Sequence, residues 1–223
     1  MRYRAAIFDA GDLLFDASRW RRWLLAELVG RGLPSSYDAL WDPWDERFLP
    51  HAHLGKRTWA ELFAAYIGEL GITGEAYRSL YEKSEAQKEA IYAAREPFPG
   101  VPETLDRLRA AGVKLAVLSD SESPAPAVRK LLDGLGIGGR FDAVVASVDI
   151  GARKPEPAAY AAAVEALGVA KGETVFVAHD ADEIRGARDF GLAVIAFNAR
   201  DPEGAAFVAE TFPRIADWIL GEG

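Results

Sequence analysis

From residue 94 onward the chain alternates short runs of β-branched and apolar residues with alanine- and leucine-rich stretches of helical period, and this alternation constrains the fold most. The runs "KLAVLS" (114–119), "FDAVVAS" (141–147), "TVFVAH" (174–179) and "LAVIAF" (192–197) read as strands. Helical segments lie at about 101–111, 124–135, 157–167 and 183–190. Gly112, Gly134, Gly168 and Gly191 stand at or just past their C-termini, where glycine most often ends a helix. Strands separated by helices predict a parallel sheet with helices on its faces. The run "AAIF" (5–8) supplies one more strand, so the expected architecture is α/β: a doubly wound, Rossmann-like parallel sheet.

Residues 17–93 carry a different pattern: four amphipathic helical stretches at about 18–30, 36–48, 58–70 and 75–93, with no strand between them. Thr58 and Glu61 have the spacing of a capping box at the start of the third. The segment therefore reads as a four-helix cap domain inserted between the first strand and the rest of an α/β core made of residues 1–16 and 94–223. "REPFPGVPET" (95–104), with three prolines, is the return linker. Five of the six tryptophans, Trp20, Trp23, Trp41, Trp44 and Trp59, fall in the insertion. They suit an aromatic core for a small helical unit, an apolar wall over a ligand, or both. The basic tetrad "RWRR" (19–22) reads as the solvated face of a helix whose other face is Trp20, Trp23, Leu24 and Leu25.

Composition narrows the partners. A chain of 223 residues, 50% hydrophobic and 27% charged, is long enough for a sizeable core and ordinary for a soluble protein. No apolar run approaches the roughly 18–20 residues that span a bilayer, so no membrane association is expected. The first apolar stretch is short and ends on Asp9, unlike a signal peptide, and a cytoplasmic location is the default expectation. A net charge of −8 without a long basic run argues against nucleic acid. With no cysteine, the chain has neither disulfides nor thiolate ligands nor a cysteine nucleophile.

In open α/β sheets ligands bind outside the C-terminal ends of the strands. Asp9 follows the first strand, Ser119 ends "KLAVLS", His179 and Asp180 follow "TVFVA", and Lys154 sits in the loop "DIGARKPEP". One aspartate in such a place is usually a cap or turn residue. Four loops that together offer a carboxylate, a hydroxyl, an ammonium and the acidic cluster "HDADE" (179–183) point to a site. His51 and His53, two residues apart, project differently from a helix and have no third ligand, so no metal site is expected there.

These motifs resemble those of the haloacid dehalogenase-like hydrolase superfamily, in the branch with a helical cap inserted after the first strand. "FDAGDLLFD" (8–16) is similar to its first motif, Asp-x-Asp-Gly-Thr-Leu, with Asp9 at the nucleophile. Ser119 in "LAVLSD" takes the second motif's hydroxyl position and Lys154 in "GARKPEP" the third motif's lysine. "FVAHDADEIRGARDFG" (176–191) lies over the fourth, with His179 and Glu183 on its two acidic positions, and "FPGVPETLDRLRAAG" (98–112) resembles the exit from the cap. The resemblance implies a hydrolase acting on a small-molecule substrate in a site between core and cap, gated by cap motion. For a phosphatase it implies an aspartyl-phosphate on Asp9, Ser119 and Lys154 holding the phosphoryl group, and Mg²⁺ on the Asp9 carboxylate, the Gly11 carbonyl and Glu183.

Three positions depart from the phosphatase pattern. Gly11 stands where a second aspartate would protonate the leaving alkoxide and activate water, a contribution of roughly 10²–10⁴-fold. Asp12, one residue on, points elsewhere, and Leu13 replaces a threonine. His179 replaces a metal-ligating carboxylate, and imidazole suits Mg²⁺ poorly; Asp180, Asp182 and Glu183 remain close by, Glu183 best placed by spacing. Three readings follow, beginning with a Mg²⁺-dependent phosphatase for a small phosphorylated metabolite. The second is a metal-independent 2-haloacid dehalogenase, whose branch also lacks the second aspartate and to which Asp16 adds a mild likeness; Arg19, Arg21, Arg22 and Arg57 are then candidates for a substrate carboxylate. The third is a weakly active or non-catalytic binding protein. Substrate identity and oligomeric state are left open by the sequence.

Overall fold

The structure, a computed structural model, describes residues 2–33 and 36–222. Strand β1 (Ala5–Phe8) opens the chain and is buried throughout. Five helices follow: α1 (Arg19–Gly30), α2 (Tyr37–Arg47), α3 (Leu49–His53), α4 (Trp59–Glu69) and α5 (Gly74–Ala93). Then come α6 (Val101–Ala110), β2 (Lys114–Ser119), α7 (Ala125–Gly134), β3 (Ala143–Ala146), α8 (Ser147–Ile150), α9 (Pro157–Leu167), β4 (Thr174–Ala178), α10 (Ala181–Phe190), β5 (Ala193–Phe197), β6 (Phe207–Ala209) and α11 (Phe212–Leu220). Two compact units result, Met1–Asp16 with Glu96–Gly223, and Ala17–Arg95.

The first unit is the α/β fold. Its six strands run in the order β3-β2-β1-β4-β5-β6, and every neighbouring pair is parallel. The chain builds outward from β1 through β2 to β3, then returns to the far side of β1 and builds outward through β4. Connectivity therefore reverses between β1 and β4, the place where such sheets open a crevice beyond their strand ends. One face of the sheet presents Ala5, Ile7, Ala116, Leu118, Phe176, Ala178 and Val194 to Tyr160, Ala163, Leu167, Ile184 and Ala187 of α9 and α10. Residues at i and i+2 share a strand face, so the alternate residues of the same strands are covered from the other side. Completely burying Ile7 or Phe176 is worth about 1.5–3 kcal/mol each.

The Ala17–Arg95 unit packs around an aromatic core. Trp20, Trp41 and Trp44 are buried there with Leu24, Phe63 and Tyr66, while Trp23 and Trp59 are half-buried against them. The tryptophans thus build this unit's interior. The Trp20 indole N–H is satisfied by the buried Ser84 hydroxyl at 3.2 Å. On α1, Trp20, Leu24 and Leu28 are buried and Trp23 and Leu25 half-buried, while Arg21 is bidentate to Asp45 at 2.7 and 2.6 Å. The capping box of α4 is formed: the Thr58 hydroxyl accepts from the Glu61 N–H at 3.3 Å and the Glu61 carboxylate from the Thr58 N–H at 3.0 Å.

The structure corrects the sequence reading in four places. The helical unit has a fifth segment, α3, because Pro50 has no N–H to continue α2 and instead sits in the first turn of a new helix. Strand β3 ends at Ala146 and Ser147 starts α8, so "FDAVVAS" is only partly strand. Strand β6 was not anticipated: at three residues on the sheet edge it is too short to show a period. Helix α11 was not anticipated either, although Phe212, Ile215, Ala216 and Ile219 form a buried stripe at helical spacing. No helix among the described residues is long and apolar enough to cross a membrane.

Candidate active site

Asp9 is the first residue beyond β1, and its N–H still donates to the Val177 carbonyl at 3.0 Å. The sheet ladder therefore holds its backbone against β4. Its side chain is 8% exposed, a carboxylate at the end of a fully buried strand, and its burial is tolerable only with charged partners. Lys154 supplies one. Its ammonium, 1% exposed, is ion-paired to Asp9 Oδ1, lies 2.9 Å from Glu183 Oε1 and donates to the Leu118 carbonyl at 3.2 Å. Three acceptors match the three protons of an ammonium. The loop carrying Lys154 is fixed from below, where its backbone N–H donates to Asp120 Oδ1 at 3.1 Å.

Glu183 and His179 come from the β4–α10 junction. Asp180 caps α10, its Oδ1 accepting from the N–H groups of Asp182 at 2.8 Å and Glu183 at 3.1 Å. That cap starts the helix immediately after β4 and places Glu183 in its first turn, beside Lys154. The second oxygen, Glu183 Oε2, is buried without a hydrogen bond. His179 Nδ1 lies 3.3 Å from Asp9 Oδ2, within ion-pair reach but out of line for a hydrogen bond, so Nδ1 has no hydrogen-bond partner. Helix α10 reaches this position because residue 186 is glycine: a Cβ there would stand 2.8 Å from the Pro155 carbonyl oxygen.

Burial opposes every charge in this group, and the neighbours decide which charges survive. For Asp9, burial raises the pKa, but Lys154 and then His179 overcome it and hold the carboxyl well below its usual range. Burial likewise disfavours the Lys154 cation, and Asp9 and Glu183 outweigh it, raising its pKa. His179 is pushed up to about 9, its burial outweighed by Asp9. Glu183 is pushed up to about 8, by burial first and by the Asp9 charge second, despite its contact with Lys154. Burial and the Asp9 charge thus push Glu183 toward its protonated form, while Lys154 and His179 favour the ionised form of Asp9.

The structure thus brings Asp9, Lys154, Glu183 and His179 together. Ser119 is half-buried at the C-terminal end of β2, the strand next to β1 in the sheet. Gly11 bridges to Phe15 in the turn after β1, where the Asp12 N–H donates to the Phe15 carbonyl at 2.8 Å with Asp12 at φ +56°. Leu13 is fully buried and belongs to the core. Asp182 is exposed and pairs with Arg185 at 2.5 Å, and Arg21 is committed to Asp45 inside the helical unit. Two contributors escaped the sequence reading. Asp120, next to Ser119 in "LAVLSD", was given no role; Gly186 carried the signal of a lone glycine inside a helical pattern, which often marks a close approach.

The donor set does not suit Mg²⁺. Lys154 and His179 stand at the two oxygens of Asp9, Lys154 also takes one oxygen of Glu183, and Asp180 is spent on the helix cap. A hard divalent ion seeks ionised oxygens, and here it would meet two protein cations instead. No group of three ligating side chains occurs among the described residues. Chemically, the arrangement presents one ionised carboxylate, flanked by an ammonium and an imidazole that balance its negative charge, beyond the strand ends of a parallel sheet.

Comparison with known proteins places this geometry in context. A family model for haloacid dehalogenase-like hydrolases matches residues 3–191. The (S)-2-haloacid dehalogenase of Xanthobacter autotrophicus is 28% identical over 199 residues, 86% of this chain and 73% of that protein. The phosphoglycolate phosphatase of Rhodospirillum rubrum is 30% identical over 172 residues, 72% of this chain and 69% of that protein. The solved L-2-haloacid dehalogenase from Xanthobacter autotrophicus shares the fold, with a TM-score of 0.73 at 23% identity over 99% of this chain and all of that one.

Proposed function

This chain belongs to the haloacid dehalogenase-like hydrolases, and we propose that it hydrolyses a short 2-halocarboxylate through an ester on Asp9, without a metal ion. In the first step an Asp9 oxygen attacks the halogen-bearing carbon. The new C–O bond forms as the C–halogen bond breaks, and halide leaves with the bonding pair. Water then attacks the Asp9 carboxyl carbon, the ester C–O bond breaks, and the 2-hydroxy acid and the Asp9 carboxylate are released together with a proton.

The observation that carries this reading is the pairing of Asp9 with Lys154 and His179, two residues before a glycine. Halide departs as a stable anion and needs no acid, so Gly11 costs the displacement step nothing. A phosphomonoester loses an alkoxide, which does need one. The two cations also favour an anionic substrate beside an ionised nucleophile. Phosphomonoester hydrolysis is the second reading, supported by the likeness to the Rhodospirillum rubrum phosphatase.

The test is a panel of 2-haloacids and phosphorylated metabolites, each with Mg²⁺ or with a chelator, on the wild type and Asp9→Asn. The expected result is halide release that survives the chelator and is lost in Asp9→Asn. Phosphate release that requires Mg²⁺ would replace this reading with the second, and inactivity on both sets would leave a binding protein.

A further inference from the structure

Hydrolysis of an ester on Asp9 has a second half, with a demand that the first half lacks. Water adds to the carboxyl carbon and the 2-hydroxy acid is expelled as an alkoxide, a poor leaving group until it is protonated. Gly11, two residues past the nucleophile, has no proton to give. The donor has to reach the oxygen that carried the substrate, and the two oxygens of Asp9 differ. Oδ1 is ion-paired to Lys154, whose ammonium also serves Glu183 and the Leu118 carbonyl. Oδ2 faces His179 Nδ1 at 3.3 Å, out of line for a hydrogen bond, so of the two it is the oxygen whose lone pairs are free to attack carbon. A ring nitrogen facing a carboxylate oxygen at this distance carries its hydrogen, since two lone pairs would repel.

We infer that His179 is the general acid of the second half-reaction, its Nδ1–H protonating Oδ2 as the ester breaks. The inference rests on the ester proposed above and adds the residue that resolves it. The oxygen of water bonds to the Asp9 carboxyl carbon, the bond from that carbon to Oδ2 breaks, and Oδ2 takes the Nδ1 proton and departs as the hydroxyl of the product. Of the two protons of the water, one returns to His179 and the other goes to solvent, which leaves Asp9 ionised with one new oxygen. Lys154, at Oδ1, offsets the charge that builds there while the carbon is tetrahedral. The imidazole suits this cycle: its side chain is 28% exposed and can exchange protons with solvent, while Nδ1 itself is buried with no other partner.

Rapid-quench kinetics with 2-chloropropionate, following halide, 2-hydroxy acid and the intact mass of the protein together, separate the two halves. The wild type is expected to release halide and hydroxy acid in step. His179→Asn keeps an N–H that can donate a hydrogen bond but has no proton to transfer. It should still release about one halide per site and then stall, with hydroxy-acid release slowed roughly 10²–10⁴-fold. The stalled protein should be heavier by the substrate less hydrogen halide. His179→Gln should behave alike, and the halide burst itself reports that either variant is folded. A merely structural role would slow halide and hydroxy acid equally and leave no adduct; that result in both variants would overturn the inference, as would turnover at the wild-type rate. A wild type that releases no halide would remove the ester and this inference with it, whereas variants that fail to stall beside an active wild type would remove the inference alone.

Discussion

The ammonium of Lys154 is hydrogen-bonded to Asp9 across 145 residues of chain, at the point where the sheet's connectivity reverses. Breaking that contact from one side strands a buried carboxylate. Lys154→Met is expected to cost about 3–5 kcal/mol, read as a lower denaturant midpoint. Asp9→Asn combined with Lys154→Met should recover part of the loss, since the amide needs no counter-charge. Equal stability of the single and double variants would show that the pair is not coupled.

Stability should fall as pH rises from mildly acidic to mildly alkaline. His179 at about 9 in the fold, against 6.5 as a free side chain, contributes fully below 6.5 and loses its contribution as pH passes 9. Glu183 at about 8, against 4.5, binds its proton more tightly folded than unfolded, so stability also declines between 4.5 and 8. Asp9, held below its usual range, acts in the opposite sense and only in acid. Melting temperatures across this interval should slope downward, with Glu183→Gln flattening the lower part and His179→Gln the upper.

Gly186→Ala should disturb the site from outside it. A Cβ would meet the Pro155 carbonyl oxygen at 2.8 Å and its Cα at 3.0 Å, backbone that can yield only by moving the loop of Lys154. A loss of about 1–3 kcal/mol is expected, with a fall in activity. Gly134→Ala, in a helix where the added Cβ meets nothing within 4 Å, is the control and should be neutral or stabilising by up to about 1 kcal/mol.

In the helical unit, Thr58→Ala removes the side-chain acceptor at the start of α4 and should cost about 0.5–2 kcal/mol by thermal or chemical unfolding. Thr58→Ser, which keeps the hydroxyl, should stay close to wild type. A loss as large in Thr58→Ser would assign the effect to the methyl group.

Local pattern carried much of this protein. Strand β2 begins and ends where "KLAVLS" does, and "AAIF" is β1 residue for residue, because the backbone of a buried strand favours branched and apolar side chains over its whole length. The α4 cap was legible for the same reason: both of its partners lie within one helical turn. Asp9, Lys154 and Glu183 were legible as candidates from their places at strand ends and in motifs.

Only the tertiary structure decided how those groups share charge. That Lys154 serves two carboxylates at once, that His179 faces the second oxygen of Asp9, and that α10 approaches Pro155 closely enough to require Gly186 are contacts between segments joined by long crossovers. Periodicity reports which face of an element is buried and is silent on which polar atom meets it across the sheet. Ion pairing and burial depend on that meeting to within an ångström, so the chemistry of Asp9 was set by folding and not by its own motif.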